Sequence, residues 1–381
     1  MAFGIYIHWP FCKSKCPYCD FNSHVSEAID HKRWMQSYLK EIDYWANLTE
    51  GRVVDTVFFG GGTPSLMQSE TVAEILAHIQ KKWRVSNDWE VTLEANPTSF
   101  ETEKFRDFYA AGVNRVSIGV QSLYEADLKF LGREHSPDQA RFAIAEAQKI
   151  FPRVSFDLIY ARPKQTLDAW RTELSEALQM ASGHLSMYQL TIERGTPFHT
   201  RHARGEFKIP EQDLAADLYD VTQDMMGQAG YPAYEISNHA IVGQESRHNL
   251  IYWRYDDYVG VGPGAHGRLT DQDGQKFATR GHRAPDIWLD KVDADGHGMH
   301  PFEPVNALAR YQEALMMGMR LREGLPLSRL VDAYGAPIDD ILSKNKIATL
   351  VKEGILEAHP DMLKTTPQGF KCLNAVLAYL S

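Results

Sequence analysis

Short runs of β-branched and aromatic residues recur through the first half of the chain: GIYIHW (4–9), DTVFFGG (55–61), EVTLEAN (90–96), RVSIGVQ (115–121), VSFDLIY (154–160) and LSMYQLTI (185–192). Between them lie stretches whose apolar residues fall three and four apart, from Arg33 to Asn47, Ser69 to Trp83, Thr102 to Ala111, Ser136 to Ile150 and Leu167 to Met180. The first pattern is that of a strand and the second that of an amphipathic helix. Six strand and helix units in strict alternation predict an α/β fold with a parallel sheet. Six is short of the eight units of a closed barrel, so an open, three-quarter, TIM-like (β/α)6 barrel is expected over residues 1–195, with its wide side free for a large substrate.

The pattern then changes twice. Residues 196–300 hold a helix-like run, LAADLYDVTQDMMGQAG, then YPAYEISNHA, HNLIYW and the glycine-rich VGVGPGAHG. From about residue 301 three helical patterns precede ILEAHPDMLKTTPQGF, which alternates like a small hairpin, so residues 301–381 read as a mainly helical, winged-helix-like domain. The second of those helices carries Asp332 and lacks a basic face, and Asp339 and Asp340 precede the third. This argues for packing or partner docking over reading nucleic acid.

Composition agrees. A formal net charge of −10 over 381 residues lacks the basic surface that nonspecific binding to nucleic acid or an anionic membrane requires. No apolar window is long enough to cross a membrane, and MAFGIYIHWP runs into the first strand without a signal stretch. A cytoplasmic protein is expected.

The chemistry concentrates at Cys12, Cys16 and Cys19, spaced C-x3-C-x2-C in the loop after the first strand. Three thiolates can hold three irons of a 4Fe–4S cluster and leave the fourth open to a small molecule. A zinc site completed by His8 or His24 competes with this reading, as does a disulfide with one thiol left over. No second C-x2-C pair follows, and Cys372 sits alone on an apolar helical pattern that suits a core thiol. Active sites of parallel barrels gather at the C-terminal ends of the strands. Gly60-Gly61-Gly62-Thr63-Pro64, Glu94, Gln121 and Asp157 are all expected at that rim, with Arg133 nearby. Together they offer acceptors for an amine and a ribose, and a cation for a carboxylate. The GGGTP loop lacks the Lys-Ser/Thr ending of a phosphate loop.

Cys12, Cys16 and Cys19 followed by GGGTP on the next strand resemble a radical S-adenosylmethionine enzyme. IYIHWPFC, CPYCDF, FFGGGTPSL, LEANP, RVSIGVQS, LGREHS, FDLIYARPKQT and HNLIYW are similar to the branch containing oxygen-independent coproporphyrinogen III dehydrogenase and a heme chaperone. The resemblance implies that Cys12, Cys16 and Cys19 ligate the cluster. It also implies that Tyr6, Tyr18, Gly61, Gly62, Thr63, Glu94, Gln121, Arg133 and Asp157 contact S-adenosylmethionine. Phe21 stands where the oxidase is expected to carry a fourth cysteine, only eleven residues precede Cys12, and His248-Asn249-Leu250-Ile251-Tyr252-Trp253 matches the chaperone's H-N-x-x-Y-W pattern. These features favour heme as the ligand and acceptor hemoproteins, respiratory-chain heme proteins among them, as partners. Oxidative decarboxylation of coproporphyrinogen III is the alternative. A neutral imidazole suits heme iron, and His248 is the candidate ligand; a hydrogen-bonded lid residue is its competing role, and His239 and His266 are rival histidines. Relatives read Y-G-L-P-G-Q-T where this chain has Tyr160-Ala161-Arg162-Pro163-Lys164-Gln165-Thr166. The backbone at 161 and 164 is therefore expected to avoid positive φ, and Arg162 and Lys164 to add charge at the rim.

Overall fold

The computed structural model describes residues 1–26 and 28–381, without the side chain of Phe100. The six expected strands form as β1 (Phe3–Trp9), β2 (Val53–Gly61), β3 (Arg84–Ala95), β4 (Arg115–Gln121), β5 (Arg153–Tyr160) and β6 (Gly183–Gln189), each parallel to the next. Helices α1 (His31–Leu48), α2 (Ser69–Lys82), α3 (Ser99–Glu103), α4 (Phe105–Ala110), α5 (Glu125–Phe130), α6 (Pro137–Ile150) and α7 (Leu167–Met180) occupy the connections.

Alternation along each strand divides the sheet into two chemically distinct faces. Ile5, Ile7, Val57, Phe59, Val91, Leu93, Val116 and Ile118 are buried in one core with Trp45, Val72, Ile75 and Ile144 of the helices. Fully burying one such aliphatic or phenyl side chain contributes about 1.5–3 kcal/mol, so this outer layer holds the barrel together. The inner face is polar and aromatic: Tyr6, His8, Glu94, Arg115, Ser117, Ser155, Asp157 and His184 occupy the alternate positions. Local caps fix the helix starts. Ser136 and Gln139 form a reciprocal capping box on α6, and Thr166 accepts from the Ala169 N–H at the start of α7.

Residues 196–300, expected as a barrel-covering region, add strands to the sheet. Beyond α8 (Pro197–Ala203) and α9 (Gln212–Gln228), strand β7 (Asn238–Ala240) adds antiparallel to β6. After α10 (Arg247–Trp253), strand β8 (Asp257–Val261) adds parallel to β1 on the other edge. It is followed by the antiparallel β9 (His266–Thr270), β10 (Lys276–Arg280) and β11 (Glu303–Pro304). Among the described residues the result is one eleven-stranded sheet, ordered β11-β10-β9-β8-β1-β2-β3-β4-β5-β6-β7. Both edges of the six-stranded barrel are thereby paired.

The last residues form a second core. Leu315, Leu330, Leu342, Leu356, Leu363 and Leu373 pack together, with a three-stranded antiparallel ladder from 325–326, 356–357 and 362–365. Cys372 packs against this core, half-buried. Among the described residues no helix is long and apolar enough to cross a membrane.

The segment after β5 departs from expectation. Ala161 and Lys164 have φ of 57° and 62°, inside the left-handed region despite carrying side chains. The turn is held from outside: Arg162 N–H donates to Gln165 Oε1 at 3.2 Å, and the Arg162 guanidinium pairs with Glu173 of α7 and, at 3.2 Å, with Asp127 of α5. Arg162 is 2% exposed, so it is a buried anchor and adds no charge to the rim. Lys164 is exposed and its strain has no packing to offset it. Lys164→Gly is expected to raise stability by up to about 1 kcal/mol, the relieved strain being reduced by the entropy glycine adds to the unfolded chain. The urea midpoint is the readout, and a midpoint at or below that of the parent chain refutes it.

Candidate active site

The loop carrying the three cysteines is braced on every side. Residues 11–12 pair parallel with residues 24–25, and His24 N–H donates to Pro10 O at 2.7 Å, closing the loop at its base. Within it, Cys19 N–H donates to Cys16 O at 3.1 Å and Lys15 Nζ reaches Phe21 O at 3.3 Å. The GGGTP segment is joined to it through Gly62 N–H to Trp9 O at 2.7 Å and Thr63 N–H to Phe11 O at 2.8 Å. A Cβ on Gly62 would stand 2.6 Å from Phe11 O, so this glycine is needed for the two loops to approach each other. Those two N–H groups are spent within the protein and are not offered to a ligand.

Above the barrel lies a cavity of about 600 Å³, a size suited to a cofactor or small ligand. It is lined by Cys12, Cys16, Cys19, Tyr18, Gly61, Gly62, Thr63, Glu94, Gln121, Arg133 and Asp157. Eleven of the thirteen residues singled out in the sequence thus meet at one rim. Tyr6 lies a layer below, bonded to His8 Nδ1 at 3.1 Å and packed under Gly60.

His248 is not brought to the cavity. It is 0% exposed at the foot of the barrel, beside Gly4 and stacked on Phe58 at 5.1 Å. Nδ1 is hydrogen-bonded to Thr56 Oγ1 and Nε2 to the Tyr252 hydroxyl, both at 2.6 Å. Burial lowers its pKa to about 3, so it is a neutral ring with both nitrogens engaged. This geometry gives heme iron no access to His248, and the hydrogen-bonded structural role fits.

Arg133 organises the cavity wall. Its Nη1 approaches Cys16 Sγ at 3.4 Å, and its Nη2 donates to Asn96 Oδ1 at 2.6 Å and Gly119 O at 2.8 Å. Its buried Nε has no partner among the described residues and remains a donor for a bound anion. Asn96, which lies in LEANP, accepts from Arg133, donates its Nδ2 to Thr63 Oγ1 at 3.3 Å and donates its backbone N–H to Glu101 Oε2 at 2.9 Å. His8, a candidate zinc ligand in the sequence, and Asn22, which no local pattern announces, are joined at 2.9 Å as further supports. Burial pushes the thiols of Cys12 and Cys19 up, so they are protonated in the metal-free chain and ionise on binding metal. Gln121 adopts φ of 68° at an irregularity in the β4–β5 pairing, and its side chain lines the cavity.

Glu94 and Asp157 face one another across the inner wall. Burial, then the neighbouring Asp157, raises Glu94 to about 8; burial raises Asp157 to about 6. Two carboxyl groups so placed favour a cationic ligand group, whose charge lets both ionise. The sign follows from the raised pKa: Glu94 stabilises the folded chain at low pH, and this contribution is lost as pH rises from its ordinary 4.5 through about 8. Glu94→Gln is expected to flatten that arm of the stability profile of metal-free protein. An unchanged profile between these limits rules out the shifted carboxyl.

The radical SAM superfamily model matches residues 6–176, and that of the HemN C-terminal domain matches residues 305–371. Heme chaperone HemW of Escherichia coli is 36% identical over 98% of this chain and 97% of its own length. The chain belongs to the radical S-adenosylmethionine superfamily, in its HemW-type branch. Bovine radical S-adenosyl methionine domain-containing protein 1, mitochondrial, is 38% identical, covering 99% of this chain and 87% of that protein. Among solved structures, the coproporphyrinogen III oxidase HemN from Escherichia coli superposes with a TM-score of 0.82 at 20% identity, over 99% of this chain and 89% of that one. That likeness shows the fold. In the radical SAM frame, the cavity's donor set fits the groups the superfamily implies. Three thiols on a braced loop suit a cluster, while paired carboxyls opposite a guanidinium with a spare N–H suit an amino acid's ammonium and carboxylate.

Proposed function

We propose that this protein is a cytoplasmic heme chaperone that binds heme and passes it to acceptor hemoproteins, respiratory-chain heme proteins among them. A 4Fe–4S cluster on Cys12, Cys16 and Cys19 and S-adenosylmethionine beside it belong to the same reading. The observation that carries it is the end-to-end similarity to HemW, 36% identity over 97% of that protein. Phe21 supports it: the residue lines the cavity mouth, 57% exposed, where the oxidase is expected to carry a cysteine. Four unpaired thiols agree with a reducing compartment.

When bound, the cluster and S-adenosylmethionine supply one-electron cleavage of the sulfonium bond. The chain's own part is binding and orientation. On this reading Arg133 would hold the carboxylate, Glu94 and Asp157 the ammonium and ribose hydroxyls, and Gln121 and Thr63 the remaining polar groups. The braced loop fixes the thiols.

The oxidase reading retains one supporting observation, the HemN-like fold. Anaerobic incubation of cluster-reconstituted protein with coproporphyrinogen III, S-adenosylmethionine and a reductant separates the two. No decarboxylated product, together with hemin binding and transfer to an apo-hemoprotein, is expected. Substrate-dependent protoporphyrinogen IX overturns the chaperone reading.

A further inference from the structure

With His248 engaged in the barrel floor, another group must meet heme iron if the proposed function holds. The sheet extension beyond β1 supplies one. Register places Gly4 opposite Tyr258, Tyr258 opposite Arg268, and His266 opposite Arg280. His266 and Arg280 therefore lie side by side on the face that β1 turns toward the barrel interior. β8 runs parallel to β1, so the turn after Val261 and the start of β9 stand at the same rim as the cysteine loop. The two are tied together: Asn22 Nδ2 donates to Pro263 O and Arg283 O, both at 3.0 Å, and a Cβ on Gly264 would stand 2.5 Å from that amide nitrogen. Asn22 follows the exposed Phe21.

Three properties mark this rim as a site. His266 is exposed, and among the described residues its ring nitrogens have no hydrogen-bond partner, unlike those of His248. Arg280 and Arg283 are exposed and, among the described residues, form no ion pair. Arg268, by contrast, is neutralised by Glu313 at 2.9 and 2.8 Å. Two free guanidinium groups beside an open imidazole form a basic patch on a chain of net charge −10. His282 and His300 also lie nearby, but their rings pack on each other, tilted by 34°, with centroids 3.8 Å apart.

Resting on the heme-chaperone reading, we propose that His266 is the axial ligand of the transferred iron porphyrin, with Arg280 and Arg283 holding its two carboxylates and Phe21 offering an aromatic face at the cavity mouth. The ligand chemistry is that of a flat metalloporphyrin dianion. Imidazole takes the metal, guanidinium takes the carboxylates, and an aromatic ring packs on the macrocycle. Partial desolvation of the ring by its neighbours, then Arg268, Arg280 and Arg283, lower the His266 pKa and favour the neutral form this requires. The exposed rim also suits a cargo that must leave again.

The test is hemin titration of full-length, cluster-reconstituted protein, read in the difference absorption of the Soret band and in the low-temperature EPR of the ferric heme. His266→Ala is expected to remove the imidazole-ligated signal and weaken binding at least tenfold, with added imidazole restoring the spectrum. Arg280→Gln with Arg283→Gln is expected to weaken binding severalfold while preserving the spectrum. Iron-sulfur content and circular dichroism, unchanged in all variants, separate these effects from misfolding. Parent-like affinity and spectrum in His266→Ala overturn the assignment, as does loss of the signal in a His282→Ala, His300→Ala variant but not in His266→Ala. If the parent chain itself fails to bind hemin, the chaperone reading fails, and the site with it.

Discussion

Cys16→Ala is expected to leave anaerobically reconstituted protein colourless and without bound iron above background. Cys16 sits at the turn of the cysteine loop, where its carbonyl accepts the Cys19 N–H and its sulfur faces Arg133. A cluster held by three thiolates has no spare protein ligand, and losing one leaves two sulfurs to hold four irons. The side chain replaced is half-buried and belongs to no hydrophobic core, so the loop braces and the barrel survive the change. Cys372→Ala is the matched control: that thiol's hydrogen bonds are to Gln368 O and Gly369 O within its own helical segment, and iron content is expected to match the parent's. Retention of a full four-iron complement by Cys16→Ala would defeat the ligand assignment.

The largest loss of stability is expected from Glu173→Ala. Glu173 is fully buried on α7 and accepts from Ser122 Oγ at 2.6 Å, Leu123 N–H at 2.9 Å and both terminal nitrogens of Arg162. Removing it strands a buried guanidinium with only the partly exposed Asp127, and breaking one side of such a pair costs roughly 3–5 kcal/mol. Arg162→Leu combined with Glu173→Gln keeps an acceptor for Ser122 and Leu123 while removing both charges. This double variant is expected to recover most of the loss, because a buried pair's desolvation nearly cancels its attraction. Equilibrium unfolding in urea reads both. A single variant within about 1 kcal/mol of the parent would show that the pair is not the anchor of the turn after β5.

That same turn shows where local reading stopped. The absence of glycine at 161 and 164 pointed away from positive φ, yet both residues adopt it. The Gln165 side chain within the turn and the Glu173 carboxylate on the following helix fix it through Arg162, contacts that the residue types at 161 and 164 do not signal. The site was far more legible. Cys12, Cys16, Cys19, Thr63, Glu94, Gln121, Arg133 and Asp157 converge on one cavity because strand ends of a parallel barrel share a rim, which alternation alone foretells. Asn96 lies inside the LEANP motif, whereas Asn22 carries no local mark and His8 is marked only as a candidate zinc ligand.

By itself the sequence determined the six strands and their helices, since period-two and helical spacing are properties of neighbouring residues, and it determined the cysteine triplet, since thiol spacing is local chemistry. The pairing of β7 and β8 to β11 onto the barrel edges was decided only in three dimensions, because edge hydrogen bonds join segments far apart in the chain. So was the fate of the histidines. His248 lies in the H-N-x-x-Y-W motif and His266 is only a rival to it in the sequence, and what separates their rings is whether Thr56 and Tyr252 have already taken the nitrogens, a fact that belongs to the packed interior.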